Sequence, residues 1–393
     1  MARRIAQGLS AAIPGQRYQF RLATARDEAE LREVIRQCPM DGDLRVTLRR
    51  EPNYFDAGVV EGPTRQTLVG VQVGGRTGEP DRIVGFGTRS VRPRFVDGEK
   101  LAVGYLSGLR ILPQHRGGTL LARGYRHFRQ LHGDGATTMY LTTIADGNPS
   151  ALTTIAANRR GMPHYYRLGQ YHTCVISARS RWLHKQPSLS GDLNVAGLQP
   201  QELPEYIDYL HMQGVERLFF PCYDERDFVG REATFRDLAW EDVLIARRKG
   251  RIVGSLALWD QRGFKQSVVE GYGGRLRWLR PYWNAAARIM RWPRFPDVGC
   301  AFESVIGALP IVARGEEGVL EGMISRARQH IAEKWPECSS LLLGVFERDR
   351  LFDTIHRNSL FRYVTHVYLV YWDDEIDPTR YAGRDIYLEL GCL

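Results

Sequence analysis

The sequence has no apolar run of the roughly 18 residues that a transmembrane helix needs, which excludes a spanning helix. It also lacks CxxC pairs and other metal-ligand spacings, because its cysteines are scattered over positions 38, 174, 222, 300, 338 and 392. We therefore expect no bound metal, and reduced thiols in a cytoplasmic protein. The basic residues 1–15 have no long apolar core, so they predict a flexible leader rather than a signal peptide.

The two commonest phosphate-binding motifs are absent as well. Neither GxxxxGK[ST] nor GxGxxG occurs, which argues against Walker and Rossmann nucleotide sites. The composition is that of a globular protein, with 43% hydrophobic and 25% charged residues. A formal net charge of +9, most of it from arginine, favours acidic partners without selecting among them. A length of 393 residues is enough for two domains.

The most informative stretch runs from Leu101 to Leu131. Residues 101–112 are rich in Leu, Ile and Val and predict a buried strand, which Pro113 ends because it has no N–H to donate. Residues 114–119 are too glycine-rich for a strand or a helix, and apolar residues at helical spacing begin at Thr119. A helix that begins at such a turn directs unpaired N–H groups and a partial positive charge outward. The stretch therefore predicts a phosphate or pyrophosphate site.

This turn resembles the acetyl-CoA loop of the GNAT acetyltransferase superfamily, whose pattern is Q/R-x-x-G-x-G/A after the fourth strand. Gln114 and Gly117 match, and Thr119 replaces the last small residue. Residues 165–169 (YYRLG) resemble the last motif of the family, Y-x-x-L-G-F, although the aromatic residue comes one place late. The order of predicted elements in the first half is also similar to the GNAT fold. The fold class that this implies is α/β (α+β), a mixed central sheet flanked by helices.

The resemblance implies an enzyme, an acyl-CoA-dependent N-acyltransferase. In its commonest form it would transfer acetyl from acetyl-CoA to the primary amine of a small molecule by direct attack in a ternary complex. It implies Tyr165 as the general acid, with Tyr166 second, although a packed aromatic residue is the alternative interpretation. It places acyl-CoA on residues Leu109, Arg110, Ile111, Gln114, Arg116, Gly117, Gly118 and Thr119. The general base stays open between an ordered water and Asp97, Glu99, His115 and Asp146.

The second half of the chain repeats the pattern of the first. Residues 251–254 repeat the RIVG of residues 82–85, and the same order of strands and helices follows. We expect a leader at 1–15, an acyl-CoA-binding GNAT domain at 16–180, a linker at 181–195 and a second GNAT-like domain at 196–380. The equivalent turn, 313–318, carries Glu316 and Glu317, whose carboxylates repel pyrophosphate. The second domain is therefore predicted to be degenerate.

An insertion at residues 271–296 interrupts this second copy. It carries three tryptophans among six arginines, a combination that can stack on nucleic acid, bind the acidic helix of an acyl-carrier protein or lie on an anionic membrane. An amphipathic loop packed on the other domain is the structural alternative. Two further functions thus stay open: transfer of a longer acyl chain from acyl-CoA or acyl-carrier protein, and a non-catalytic module that binds RNA or membranes. Nucleic acid is the least favoured partner, and the sequence predicts neither the acceptor nor the oligomeric state.

Overall fold

A computed structural model describes residues 17–74, 80–148, 161–179, 192–372 and 375–393. The predicted leader, a predicted helix over 150–158 and most of the predicted linker lie outside these residues. The first half consists of β1 (Tyr18–Leu22), α1 (Glu28–Arg36), β2 (Leu44–Arg49), α2 (Tyr54–Ala57), β3 (Thr64–Gln72), β4 (Arg82–Val96), β5 (Glu99–Ile111), α3 (Leu120–His132), β6 (Met139–Ala145) and β7 (His164–Ser177).

The second half follows the same plan. It consists of β8 (Leu193–Gly197), α4 (Leu203–Gly214), β9 (Val243–Arg248), β10 (Arg251–Trp259), β11 (Gln266–Tyr272), α5 (Leu276–Met290), β12 (Ser304–Val312), α6 (Val319–Lys334), β13 (Ser340–Phe346), α7 (Phe352–Asn358) and β14 (Phe361–Tyr371). Strand β8 begins at Leu193, inside the stretch expected to be a linker. The insertion at residues 271–296, for which an amphipathic loop was one alternative, contains helix α5.

One twelve-stranded sheet joins the two halves, in the order β1-β3-β4-β5-β6-β14-β7-β13-β12-β10-β9-β8. We expected a separate sheet in each half, but the halves exchange their last strands. Strand β14 pairs with β6 of the first half, and β7 pairs with β13 of the second. Strands β7 and β14 pair with each other at the centre, and β2 pairs with β11 in a separate two-stranded ribbon. The mixed sheet flanked by helices is confirmed, as one continuous layer.

Local sequence explains the elements at the start of the first half. The Asp27 carboxylate accepts hydrogen bonds from the Thr24 N–H at 2.7 Å and from Arg21, which closes a capping box just before α1. Leu31, Val34 and Ile35 recur at helical spacing and are all buried. This spacing predicts a helix whose inner face is apolar, and α1 packs that face on strand β4.

Each half contains one pair of parallel strands that are hydrogen-bonded for only a few residues and then separate. Strand β5 pairs with β6 only at Gly104–Tyr140 and Tyr105–Leu141, although β5 continues to Ile111. Next to this opening β5 has a bulge in which residues 108 and 109 face Gly87 of β4, and Gly108 has φ +64°. Strand β12 carries the equivalent bulge at Leu309, with φ +50°. We call the β5–β6 space the first opening and the β12–β13 space the second opening.

Candidate acyl-donor site

The backbone at the end of β5 faces the first opening. Leu112 N–H donates to Val84 O of β4 at 2.9 Å. Because neighbouring residues of an antiparallel ladder point in opposite directions, the N–H and C=O of Ile111 point away from β4. The Ile111 carbonyl accepts from Arg116 Nε at 3.0 Å and from the Cys38 thiol at 3.4 Å. The predicted residues 109–111 therefore line the first opening, with the bulge at their start.

The glycine turn, residues 114–119, connects β5 to α3. The Arg116 N–H donates to Pro113 O at 3.2 Å, so this amide, which we expected to bind pyrophosphate, is used within the turn. None of the described residues accepts from the N–H groups of Gly117, Gly118 and Thr119. Gly117 has φ +80°, and a Cβ at Gly117 or Gly118 would meet no atom within 4 Å. Three consecutive amides at the start of α3 thus have no acceptor among the described residues, and the space beside the two glycines is open.

Positive charge surrounds this turn. His115 Nδ1 is hydrogen-bonded to the Tyr18 hydroxyl at 2.9 Å. Burial lowers the pKa of His115, and the positive charges of Arg17 and Arg82 lower it further. Gln114 and Arg116 are exposed beside the open amides. The turn therefore combines unpaired donors, the positive end of α3 and nearby guanidinium groups, which together suit a phosphate-bearing ligand.

Tyr165 lies in the core beneath α3, where its hydroxyl is 2.6 Å from the hydroxyl of Tyr125. Burial raises its pKa well above the usual value for tyrosine, and burial also raises the pKa of Tyr125 to about 12. Both phenols are therefore protonated at neutral pH. Tyr125 also borders a cavity between α3 and the sheet, next to Leu109 and Ile111. The pair connects Tyr165 to the wall of the first opening through one hydrogen bond.

Two of the residues considered for the general base lie far from the first opening. Asp97 is in the hairpin turn between β4 and β5, where it forms ion pairs with Arg380 and Arg384. Glu99 begins β5 and is exposed. Because β5 reaches the first opening only at its other end, the structure removes Asp97 and Glu99 as candidates.

The other two carboxylate or imidazole candidates have partners of their own. His115 is held by Tyr18, on the glycine turn. Asp146 follows β6, and its carboxylate is 2.6 Å from His366 Nε2 on β14. Asp146 is at the open end of β6 but is largely exposed. Neither group is buried at the bulge of β5.

Four polar residues near β5 remain, and we call them the polar cluster: Arg50 and Glu61, which form an ion pair, Lys265, which is within electrostatic range of both, and Ser107, which precedes the bulge. The Glu61 carboxylate is almost fully buried and forms an ion pair with Arg50 through one oxygen. Its other oxygen, Oε2, has no hydrogen-bond partner among the described residues, and neither has the hydroxyl of Ser107. Buried polar atoms of this kind need a partner, so they point to a ligand or water.

Electrostatic effects connect the polar cluster to β5. Glu61 raises the pKa of Tyr105, which burial already raises to about 12, and Arg50 lowers the pKa of Arg110 in addition to the effect of burial. Tyr105 and Arg110 lie on either side of the bulge. Lys265 comes from the second half, and burial lowers its pKa to about 8. Sequence reasoning missed these residues; the signal was a carboxylate in the apolar run Val-Val-Glu-Gly at 59–62.

The chain itself fills the second opening. Leu309 N–H, at the second bulge, donates to Glu389 Oε2 at 2.9 Å, and the Tyr387 hydroxyl donates to the same oxygen at 2.7 Å. The Tyr171 hydroxyl donates to Leu388 O at 2.9 Å. Residues 385–393, which lie beyond the predicted end of the second domain at 380, therefore occupy this space. Burial raises the pKa of Glu389.

The second glycine-containing turn is also occupied. The N–H of Gly315, which has φ +84°, donates to Glu317 Oε1 at 3.1 Å. Glu316 forms an ion pair with Arg248 at 3.0 Å. The two halves thus share a bulge, an opening and a turn, but in the second half the Gly315 amide of the turn and the Leu309 amide of the bulge already donate to carboxylates of the chain. No group of three His, Cys, Asp or Glu side chains in the described ranges could hold a metal ion.

The sequence matches no protein-family model and no curated protein. Its fold does match solved structures. Saccharomyces cerevisiae N-myristoyltransferase with bound myristoyl-CoA aligns with a TM-score of 0.57 and 8% identity, over 96% of this chain and 89% of that one. A GCN5-related N-acetyltransferase from Sphaerobacter thermophilus aligns with a TM-score of 0.51 and 13% identity, over 93% of this chain and 99% of that one.

A third similar structure is a GCN5-related glucosamine N-acetyltransferase region of a fungal multi-domain GH3 β-N-acetylglucosaminidase. It aligns with a TM-score of 0.55 and 15% identity over 92% of this chain, which spans only 39% of the fungal protein. At these identities the likeness concerns the fold. Together with the repeated strand order, the parallel opening and the bulge, it shows that this chain has the fold of the GNAT superfamily.

Proposed function

We propose that this protein is an acyl-CoA-dependent N-acyltransferase that binds its donor in the first opening. One observation carries the proposal: the amides of Gly117, Gly118 and Thr119 are unpaired among the described residues and adjoin an open, bulged strand. In the second half the Gly315 amide of the turn and the Leu309 amide of the bulge already donate to carboxylates of the chain. The GNAT fold supports the same assignment. The protein would therefore bind one acyl-CoA per chain.

In this proposal the diphosphate of CoA accepts hydrogen bonds from the three open amides at the start of α3. Gln114 and Arg116 would contact phosphate oxygens with their side chains. The pantetheine arm would follow β5 along the first opening, where it can replace the missing strand partner. An N–H among residues 109–111, with Ile111 favoured by its direction, would polarise the thioester carbonyl.

The acceptor would be a primary amine that approaches the thioester from the side of the polar cluster. Its nitrogen forms the new C–N bond while the C–S bond breaks, and the amine proton passes to Glu61. Arg50 holds the Glu61 carboxylate in place. Tyr165 would supply the proton that the departing CoA thiolate needs, with the Tyr125 hydroxyl as its neighbour. The reaction needs no metal or further cofactor to balance.

Acetyl is the acyl group that the observed space supports best. The cavity between α3 and the sheet, beside Leu109 and Tyr125, measures about 30 Å³. That is room for a water molecule but not for a long acyl chain. A longer donor, from acyl-CoA or acyl-carrier protein, would have to extend along the polar-cluster side of the sheet.

A thermal-shift series with CoA, acetyl-CoA and longer acyl-CoAs tests the donor. A ligand at 100 times its Kd adds about 2.7 kcal/mol to the free energy of unfolding, so Tm should rise by several degrees. We expect acetyl-CoA to stabilise the protein at least as well as the longer donors. A panel of primary amines, with release of free CoA thiol as the signal, then tests transfer. A folded protein whose Tm responds to none of these compounds contradicts the proposal.

A further inference from the structure

Helix α5 presents an apolar stripe, Trp278, Tyr282 and Ile289, to solvent. The exposed fractions of these side chains are 73%, 77% and 82%, among the largest for apolar residues of the described chain. Their spacing of four and seven residues places them on one face of the helix. Leu279 lies beside them, also exposed. Contiguous exposed apolar surface of this kind marks an interaction site.

The other face of α5 is held firmly against the protein. Trp283 stacks on Trp292 with ring centroids 5.2 Å apart, and it also contacts Phe361 at the start of β14. The Asn284 side chain donates to Phe295 O at 2.9 Å and accepts from Phe295 N–H at the same distance. Packing on one side therefore fixes the rotation of the helix, and this rotation turns the apolar stripe outward.

The surroundings of the apolar stripe are positive. Residues 273–296 contain six arginines and no Asp or Glu. Arg280 forms an ion pair with Asp297. In the ranges that the structure describes, no carboxylate forms an ion pair with the remaining five, which are Arg275, Arg277, Arg288, Arg291 and Arg294. Uncompensated guanidinium groups thus flank the exposed aromatic and aliphatic side chains.

We propose that α5 docks on a membrane surface that contains anionic lipid. The apolar stripe would enter the boundary between headgroups and acyl chains, where Trp and Tyr side chains are favoured, and the arginines would contact lipid phosphates. Each arginine near such a surface contributes about fivefold in partitioning, and salt weakens this effect. No helix of the described residues is long and apolar enough to cross a membrane, so the contact is at the surface.

A lipid surface fits this helix better than nucleic acid or an acidic protein. Bases stack on aromatic rings, but Ile289 and Leu279 have no ring to offer and are exposed beside Trp278 and Tyr282. A partner helix would need a groove, whereas α5 presents a convex ridge. The mixture of aliphatic, aromatic and arginine side chains on one exposed helix is typical of interfacial helices.

Helix α5 is also anchored close to the first opening. Its contact residue Phe361 begins β14, and Tyr363, two residues further, lies near Met40, with the Tyr363 hydroxyl 4.0 Å from Met40 Sδ. Arg110, at the open end of β5, lowers the pKa of Tyr363, which burial raises. Docking through α5 would therefore bring this end of the sheet near the bilayer.

The test is co-sedimentation of the full chain with vesicles of phosphatidylcholine, alone or mixed with phosphatidylglycerol. We expect binding to the mixed vesicles only, which weakens as salt is raised. The triple variant Trp278→Ala, Tyr282→Ala, Ile289→Ala should bind at least tenfold more weakly with an unchanged Tm, because these side chains are exposed. Met212→Ala, at a 63% exposed residue of α4, is the matched control and should bind as the wild type does.

Two outcomes overturn the proposal. Either the folded wild-type protein fails to bind the mixed vesicles at low salt, or the triple variant binds them as tightly as the Met212→Ala control. If the triple variant instead loses affinity for single-stranded RNA or an acidic protein while vesicle binding is unchanged, α5 is a docking surface of another class. Because vesicle binding is measured without acyl-CoA, its result is independent of the proposed transferase activity.

Discussion

A pair of matched substitutions separates the two turns of the repeat: Gly117→Asp and Gly315→Asp. Both glycines have positive φ, +80° and +84°, and a Cβ at either would meet no atom within 4 Å. Each substitution therefore costs a similar backbone strain, of about 1–2 kcal/mol. If the first turn alone holds the CoA diphosphate, only Gly117→Asp should weaken donor binding.

The expected size follows from Coulomb's law. A carboxylate at Gly117 would lie about 4 Å from a phosphate oxygen, where two unit charges repel by about 1 kcal/mol at the dielectric constant of water and about 4 kcal/mol at an effective value of 20. One side of the turn faces solvent and the other faces protein, so we expect a loss of binding free energy between these two values. A loss of about 2.8 kcal/mol corresponds to a 100-fold increase in Kd. Gly117→Ala, which adds no charge, should raise Kd only by the part that strain contributes.

Isothermal titration of each variant with CoA gives the Kd values, and thermal melts without ligand give the stabilities. We expect Gly117→Asp to bind about 100-fold more weakly and Gly315→Asp to bind like the wild type, with similar small decreases in Tm for both. Equal Kd values for the wild type and Gly117→Asp would refute the donor site at the first turn. Weaker binding by Gly315→Asp would show that the second half takes part.

Three more predictions address the chemistry. Glu61→Gln should lower kcat by about 100-fold while the Kd for CoA is unchanged, because a general base acts after donor binding. Glu99→Gln, in the distant hairpin, is the control. If Glu61→Gln and Glu99→Gln have equal kcat values, Glu61 is not the base. Tyr165→Phe and Tyr125→Phe break the same hydrogen bond and should each lower the free energy of unfolding by about 1 kcal/mol. Only Tyr165→Phe should slow acyl transfer in rapid-quench measurements. Equal effects of the two substitutions on the transfer rate would make Tyr165 a packing residue. Burial lowers the pKa of Lys265 to about 8, below its usual 10.5, so its charged form destabilises the folded state; urea titrations should show unfolding free energy rising from pH 8 to 10.5, and Lys265→Met should remove this rise.

The local pattern of apolar residues, glycine and proline was sufficient to predict most of the strands and helices. The apolar run Ser340–Phe346 predicts a strand and coincides with β13, and the helical spacing over 119–131 predicts a helix, which is α3 at Leu120–His132. Both follow from the spacing of apolar residues and from glycine or proline at their ends, which are properties of neighbouring residues. Ribbon β2–β11 was missed because its strands are 217 residues apart at Arg49 and Gln266 and neither alternates strongly.

The sequence by itself determined the order of strands and helices, the repeat and the glycine turn, because periodicity, proline and glycine act on the nearest neighbours in the chain. Only the tertiary structure decided that β7 and β14 change places, since apolar strands of similar length have no local feature that names their partner. The tertiary structure also decided which of the two openings the chain itself fills, because Glu389 binds the Leu309 amide in the second opening from 80 residues away. Glu61 was likewise an ordinary carboxylate until folding buried it beside Arg50 and the bulge of β5, and burial is a property of the whole packed chain.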